Sequence, residues 1–287
     1  MTTQFTIPER GPICFPELEV YDASALAAFE RCPFAYNMRY NRRVVSDQAS
    51  AVPLTWGGAI HEALAFLLTH EWDVAGAVQE YWKYPGIGDA TDKHRTPEKG
   101  EALVRAYKER WAGNKDYKTL TGEDGKPMVE VAFVLPLDLD VNITLAGRID
   151  CGVEHGGIEY VLDHKTTGSM YFLMNDLRPQ LQFDIYSWAF RTLRERCGGI
   201  IVDIMDVGKK GGFELARVVS PRSTWEMDQV PVQAANHARH IQLCKSLDVW
   251  PTYRTHCFRY NRQCDYANCC MHNVEVGLKE VREGGEE

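Results

Sequence analysis

Hydrophobic positions in this chain keep a helical period near the N-terminus and switch to strand-like alternation at about residue 128. Asp22 or Ser24 can cap a first helix in which Leu26 and Phe29 stand at i and i+3. Pro33 does not suit that helix's interior but fits the first turn of a second one. The pattern therefore predicts two helical pieces with Cys32 at their junction. "WGGAIHEALAFLLTHEW" (56–72) predicts a helix with Ile60, Leu64, Phe66 and Leu67 as its apolar stripe. "KYPGIGDATDKHRTPEKG" (83–100) reads as a long polar loop and "EALVRAYKERW" (101–111) as another helix.

Three β-branched, turn-bounded runs follow at 128–137, 142–153 and 157–167 and predict strands. An amphipathic helix is expected over 176–196, then a hairpin of "IIVDIMDVG" (200–208) and "FELARVV" joined by "KKGG". A long helix over 222–249, interrupted near Pro231, leads into a cysteine-rich tail. Helices, strands, helix and strands in this order imply an α/β or α+β fold around a mixed sheet. One domain over 1–287 is expected, with a helical part at 24–115, a core at 128–220 and a C-terminal part at 222–287.

Composition narrows the class without naming a function. At 287 residues the chain is long enough for a sizeable core, and its 45% hydrophobic and 25% charged residues are ordinary for a globular protein. No run reaches the roughly 18 apolar residues of a membrane span, and the N-terminus lacks a signal-peptide layout, so a cytosolic protein is expected. In that compartment the nine cysteines suit buried thiols or metal ligands better than disulfides. A net charge of −8 argues against a general nucleic-acid coat but leaves room for a local groove.

The densest chemistry lies in "GRIDCGVEHGGIEYVLDHKTT" (147–167). A two-residue Gly156-Gly157 turn makes His155 and Ile158 the closing pair of a hairpin. Counting outward sets Asp150 opposite Asp163, and like charges at that spacing are destabilising unless a cation bridges them. Lys165 projects from the same strand face as Asp163. Carboxylate-held metal beside an ammonium is the arrangement needed to hydrolyse a phosphodiester. An ordinary Asp–Lys pair at a strand end is the plainer explanation. His61 follows "WGGAI", where glycines permit close approach, and its imidazole would favour a manganese-tolerant site, although a lone histidine also suits plain packing.

The tail "HCFRYNRQCDYANCCMH" (256–272) concentrates thiols. Cys257, Cys264 and either Cys269 or Cys270, with His256 or His272, would suit zinc, and the spacing alone does not separate zinc from an iron–sulfur cluster.

"SALAAFERCPFAYNMRY", "GGAIHEAL", "GRID", "LDHKTT" and "QFDIY" stand in the order found in the PD-(D/E)XK nuclease superfamily, and the chain resembles its RecB-like branch, which includes the AddB nuclease domain, CRISPR-associated RecB-like exonucleases and many phage exonucleases. The resemblance covers about residues 24–190, extended by the tail to 270. It implies a restriction-endonuclease-like core, with His61, Asp150 and Asp163 holding Mg²⁺ or Mn²⁺ and Lys165 as the catalytic lysine. Gln182 matches the glutamine that orients substrate or water, with Tyr186 accompanying it, while Gln180 offers an alternative registration. It also implies a [4Fe–4S] cluster on Cys32, Cys257, Cys264 and Cys270, with Cys269 the rival for the last place, joining the two ends of the chain. Cys14, Cys151, Cys197 and Cys244 fit no such pattern.

The resemblance thus implies a metal-dependent DNA nuclease, an exonuclease on ends or single strands, in DNA recombination, repair or processing. The alternative is a non-catalytic DNA-end-binding or assembly subunit with the same fold. Arg31, Arg39, Arg42 and Arg43 would track the phosphate backbone, though they suit a solvated face equally. No P-loop is visible, so unwinding would fall to a helicase or recombination partner. A phage or bacterial origin suits the compact layout.

Overall fold

The computed structural model describes residues 19–47, 51–137, 143–175, 177, 178, 180–208, 212–259 and 262–280. Cys14 and residues 209–211 of the expected "KKGG" turn lie outside them. In chain order the elements begin with β1 (Glu19–Asp22), α1 (Ala23–Arg31), α2 (Pro33–Tyr36), β2 (Val44–Ser46), α3 (Val52–Thr69), α4 (Val74–Lys83) and α5 (Pro97–Trp111). Strands β3 (Lys118–Thr119), β4 (Val129–Pro136), β5 (Ile143–His155) and β6 (Ile158–Thr167) follow, then α6 (Met170–Asn175) and α7 (Leu181–Arg194). The chain continues through β7 (Gly199–Asp206), β8 (Glu214–Pro221), α8 (Thr224–Leu247), β9 (Phe258–Arg259), β10 (Arg262–Gln263), α9 (Ala267–His272) and β11 (Leu278–Glu280).

The chain divides into two compact units, the larger formed by Ala51–Phe133 and Gly147–Met227. Its sheet is mixed, with β5 and β6 antiparallel, β6 and β7 parallel, and β7 and β8 antiparallel. Gly156 and Gly157 have φ of 60° and 79°, the left-handed pair that a two-residue hairpin turn requires. Helices α3, α4 and α5 bury Trp56, Ile60, Leu64, Tyr81, Leu103 and Tyr107 with Met205 and Val207 in one cluster. Truncating one such leucine to alanine costs about 2–5 kcal/mol. Helix α7 seats Phe190 against Gly152, where an added Cβ would come within 2.9 Å of the ring. His164 meets Tyr107 of α5, while its neighbour Lys165 lies over Phe183 of α7. Adjacent strand residues point to opposite faces, so helices cover both sides of this sheet.

The other unit comprises Met1–Ser50, Val134–Ala146 and Asp228–Glu287. Here β1 runs parallel to the first residues of β5, from Glu19 against Ile143 to Asp22 against Ala146. Asp22 caps α1 by accepting from the Ala25 N–H at 2.7 Å. Cys32 is extended, with φ of −166°, between α1 and α2, and Pro33 opens the second helix. The tail returns to this region: the Phe34 N–H donates to the Pro251 carbonyl at 3.0 Å, and β11 pairs with β2.

Three boundaries differ from the sequence pattern. The polar loop ends sooner, because Thr96 caps α5 through the Lys99 N–H and Pro97 occupies its first turn. The helix expected from 176 begins at Leu181, and residues 170–175 form a separate short helix. Helix α8 runs unbroken through Pro231, with buried Ala234, Ala235, Ala238 and Ile241 continuing its apolar stripe. No helix of the described residues is long and apolar enough to cross a membrane.

Candidate active site

The β5–β6 ladder runs from His155 opposite Ile158 to Cys151 opposite Leu162, so the next positions outward are Asp150 and Asp163. That is the register the glycine turn predicts. Past the last pair, the His164 N–H donates to Asp150 Oδ2 at 2.8 Å. Lys165 Nζ forms a 2.6 Å ion pair with Asp163 Oδ2. Asp163 is 1% exposed, so its charge depends on that ammonium.

Helix α3 brings His61 to the same place, with Nδ1 at 3.4 Å from Asp150 Oδ2. The sequence pattern did not single out Glu130 of β4. Among the described residues, His61, Glu130 and Asp150 form the group whose potential ligand atoms all lie within 4.8 Å of one another. Glu130 has a φ of 52°, a costly value for a residue with a side chain and one that recurs at functional sites. Asp163 lies outside this trio and is held by Lys165 instead.

Electrostatics separate the roles of these groups. Burial works against charge on Asp150, but His61 and His164 beside it hold its carboxyl well below the usual range. Burial, reinforced by the Asp150 charge, raises Asp163. Burial also pushes Lys165 down, but Asp163 and Asp150 more than offset this and keep it a firm ammonium. Burial and the Asp150 charge carry Glu130 up to about 7. For His61, burial pulls downward and the Asp150 carboxylate prevails, raising the imidazole to about 9. Glu130 at about 7 and His61 at about 9 hold protons that a divalent cation would displace. The donor set, one imidazole with carboxylates, suits Mn²⁺ or Mg²⁺.

Gln182 Nε2 donates to Tyr186 Oη at 3.2 Å on α7, one turn apart, and Phe133 meets Tyr186 edge-on at 6.3 Å. Gln180 stands at the N-cap of α7, outside its first turn.

In the other unit, Cys32, Cys257, Cys264 and Cys270 line one small cavity with His256. The β9–β10 hairpin is closed by the Cys264 N–H donating to the Cys257 carbonyl at 2.8 Å. Burial raises Cys264 and Cys270, and the Cys32 and Cys257 charges raise both further, as expected of thiols facing a shared space. Cys269 points elsewhere, packing with Met38, Val44 and Tyr266. Arg31 and Arg39 line an adjoining cleft of about 320 Å³. Arg42 is paired with Glu275 at 2.7 Å, and Arg43 has a φ of 52° just before β2.

Two solved structures and one family model are similar to this chain. A crystal structure described as "Putative exonuclease", from Eubacterium rectale, superposes with a TM-score of 0.50 at 11% identity, covering 93% of this chain and 91% of that one. The crystal structure of SSO0001 aligns over 91% of this chain and 90% of its own at 15% identity, with a TM-score of 0.37. No curated protein matches the sequence. The family model of the PD-(D/E)XK nuclease superfamily matches residues 23–271, and the chain belongs to that superfamily.

Proposed function

We propose that this protein is a metal-dependent deoxyribonuclease of exonuclease type, working as one nuclease domain on DNA ends or single strands in recombination, repair or processing. The observation that carries the reading is the convergence of His61, Glu130 and Asp150 donor atoms beside the Asp163–Lys165 ion pair, within a nuclease family. His61, Asp150 and Asp163, joined by Glu130, would hold Mg²⁺ or Mn²⁺. An ion held there would supply a clamp for the phosphodiester and acidity for the attacking water. Asp150 stays ionised through its histidine neighbours, ready to ligate without a proton to lose. Lys165 holds an ammonium where negative charge develops. Gln182, braced by Tyr186, orients water or substrate.

The RecB-like iron–sulfur assignment is part of the same proposal. Cys32, Cys257, Cys264 and Cys270 face one cavity, which supports them as a ligand set and favours Cys270 over Cys269. Among the described residues these sulfurs do not reach the spacing of a single-ion site, whose donors would fall within 4.8 Å of one another. Zinc and [4Fe–4S] both take thiolates, and it is the family resemblance rather than this spacing that favours [4Fe–4S]. Its work would be structural, closing a loop of over two hundred residues between Cys32 and Cys257. The cleft lined by Arg31 and Arg39 supports a phosphate-tracking surface beside it. A helicase or recombination partner would supply unwinding, in the cytoplasm of a bacterium or a phage-infected host.

End-labelled single- and double-stranded DNA with Mn²⁺, compared with covalently closed circles, tests this reading. Release of short products from free ends alone is expected. Equal cutting of closed circles would overturn the exonuclease assignment, and no cutting of any substrate would overturn the nuclease reading.

A further inference from the structure

Strand register places His164 of β6 beside Asp203 of β7, and Asp203 beside Arg217 of β8. The three make a row across the sheet, and Tyr107 of α5 lies over it. The Tyr107 hydroxyl donates to Asp203 Oδ2 at 2.7 Å and accepts from Arg217 Nη2 at 3.0 Å. Its oxygen lies 3.1 Å from His164 Nε2, and Arg217 Nε bonds Asp203 Oδ2 at 2.9 Å. The other ring nitrogen of His164, Nδ1, lies 3.3 Å from Asp150 Oδ2.

This network is expensive to bury. Asp203 is 0% exposed and its Oδ1 has no hydrogen-bond partner among the described residues, while Arg217 is stacked at 3.9 Å on Trp111 and 4.7 Å on Tyr117. Replacing a buried ion pair with apolar side chains of similar volume is often neutral or stabilising, so stability alone does not account for it. It reaches the candidate site through the His164 ring, which ends against Asp150.

We propose that Tyr107 is a positioning residue for the metal-binding carboxylate, held by Asp203 and Arg217 and acting through the His164 ring to fix Asp150 for a divalent cation. The inference rests on the metal-site reading above and adds residues to it that touch neither metal nor DNA. Groups that orient a metal ligand from behind typically govern affinity by about 10- to 100-fold.

The test is direct Mn²⁺ binding to the full chain without DNA, by calorimetry and by the electron paramagnetic resonance signal of free Mn²⁺. Tyr107→Phe keeps the ring and removes the hydroxyl, and Asp203→Asn keeps the shape and removes the charge that draws the phenol proton. Both are expected to weaken Mn²⁺ binding about 10-fold or more, with near-normal cleavage recovered at saturating Mn²⁺. Two folded variants with wild-type Mn²⁺ affinity, however much their melting temperatures fall, would overturn the positioning role. If Tyr107→Phe does not fold, Asp203→Asn decides by the same criterion. Wild-type protein that binds no Mn²⁺ would instead overturn the metal-site reading and this inference with it.

Discussion

His61 Nδ1 lies 3.4 Å from Asp150 Oδ2, joining a helix to a strand across 89 positions of sequence. In the proposed metal site, a cation would compete with protons on His61 and Glu130. His61 is raised to about 9 and Glu130 to about 7, and each must shed its proton before it can ligate. Apparent Mn²⁺ affinity is therefore expected to rise steadily from pH 6 to pH 9. Glu130→Gln should weaken binding and remove the lower part of that rise. Calorimetric titrations across the range check this, and a flat profile would contradict it.

Without metal the same pair has the opposite pH dependence. A folded pKa raised from the ordinary 6.5 to about 9 stabilises the fold fully below about pH 6.5, and that stability is lost as pH rises through about 9. In chelator, the melting temperature of the wild type is expected to fall over this window relative to His61→Ala. Parallel pH profiles for the two proteins would refute the assignment.

Lys165 should separate binding from chemistry. Lys165→Met is expected to lower the cleavage rate by about 10²–10³-fold even at saturating Mn²⁺, beyond any loss of affinity from its broken pair with Asp163. The measurement is single-turnover cleavage beside Mn²⁺ titration. A variant whose rate recovers at saturating Mn²⁺ would assign Lys165 to holding the ligands rather than to the reaction.

The hairpin register was legible because a Gly-Gly turn fixes which residues oppose one another, and it holds from His155–Ile158 to Cys151–Leu162, one step short of Asp150 and Asp163. Cys32 was legible for a similar reason, since Pro33 forces a helix boundary at that point. Glu130 was not. It sits in "VEVAF" as an ordinary alternating polar position, and only its φ of 52° and the folding of β4 beside Asp150 reveal it. Tyr107, Asp203 and Arg217 look like residues of a helix and two strands until parallel pairing of β6 with β7 aligns them. The start of α5 was readable in "TPEK" but was hidden by the polar run before it.

The cysteine assignment has its own readout. Anaerobically purified protein should be brown and contain iron; Cys32→Ala should lose both colour and thermal stability, whereas Cys269→Ala should keep its iron. Visible absorption and elemental analysis decide it, and a colourless protein with stoichiometric zinc would contradict it.

Gly157 has a φ of 79° at the hairpin tip, where any other residue is strained. Gly157→Val is expected to cost about 1 kcal/mol or more and, by loosening the turn that sets the register, to lower activity. Denaturant unfolding and cleavage rate measured together check this. An unchanged midpoint would show that the turn does not set the register.

The central claim is that Asp150 and Asp163 form the core of a metal-dependent nuclease site. The most direct measurement is Mn²⁺-dependent release of nucleotides from end-labelled DNA by the wild type, Asp150→Ala and Asp163→Ala. Cleavage by the wild type that chelator abolishes is expected, with a loss of at least about 10²-fold in each variant. Equal cleavage by all three proteins would contradict it.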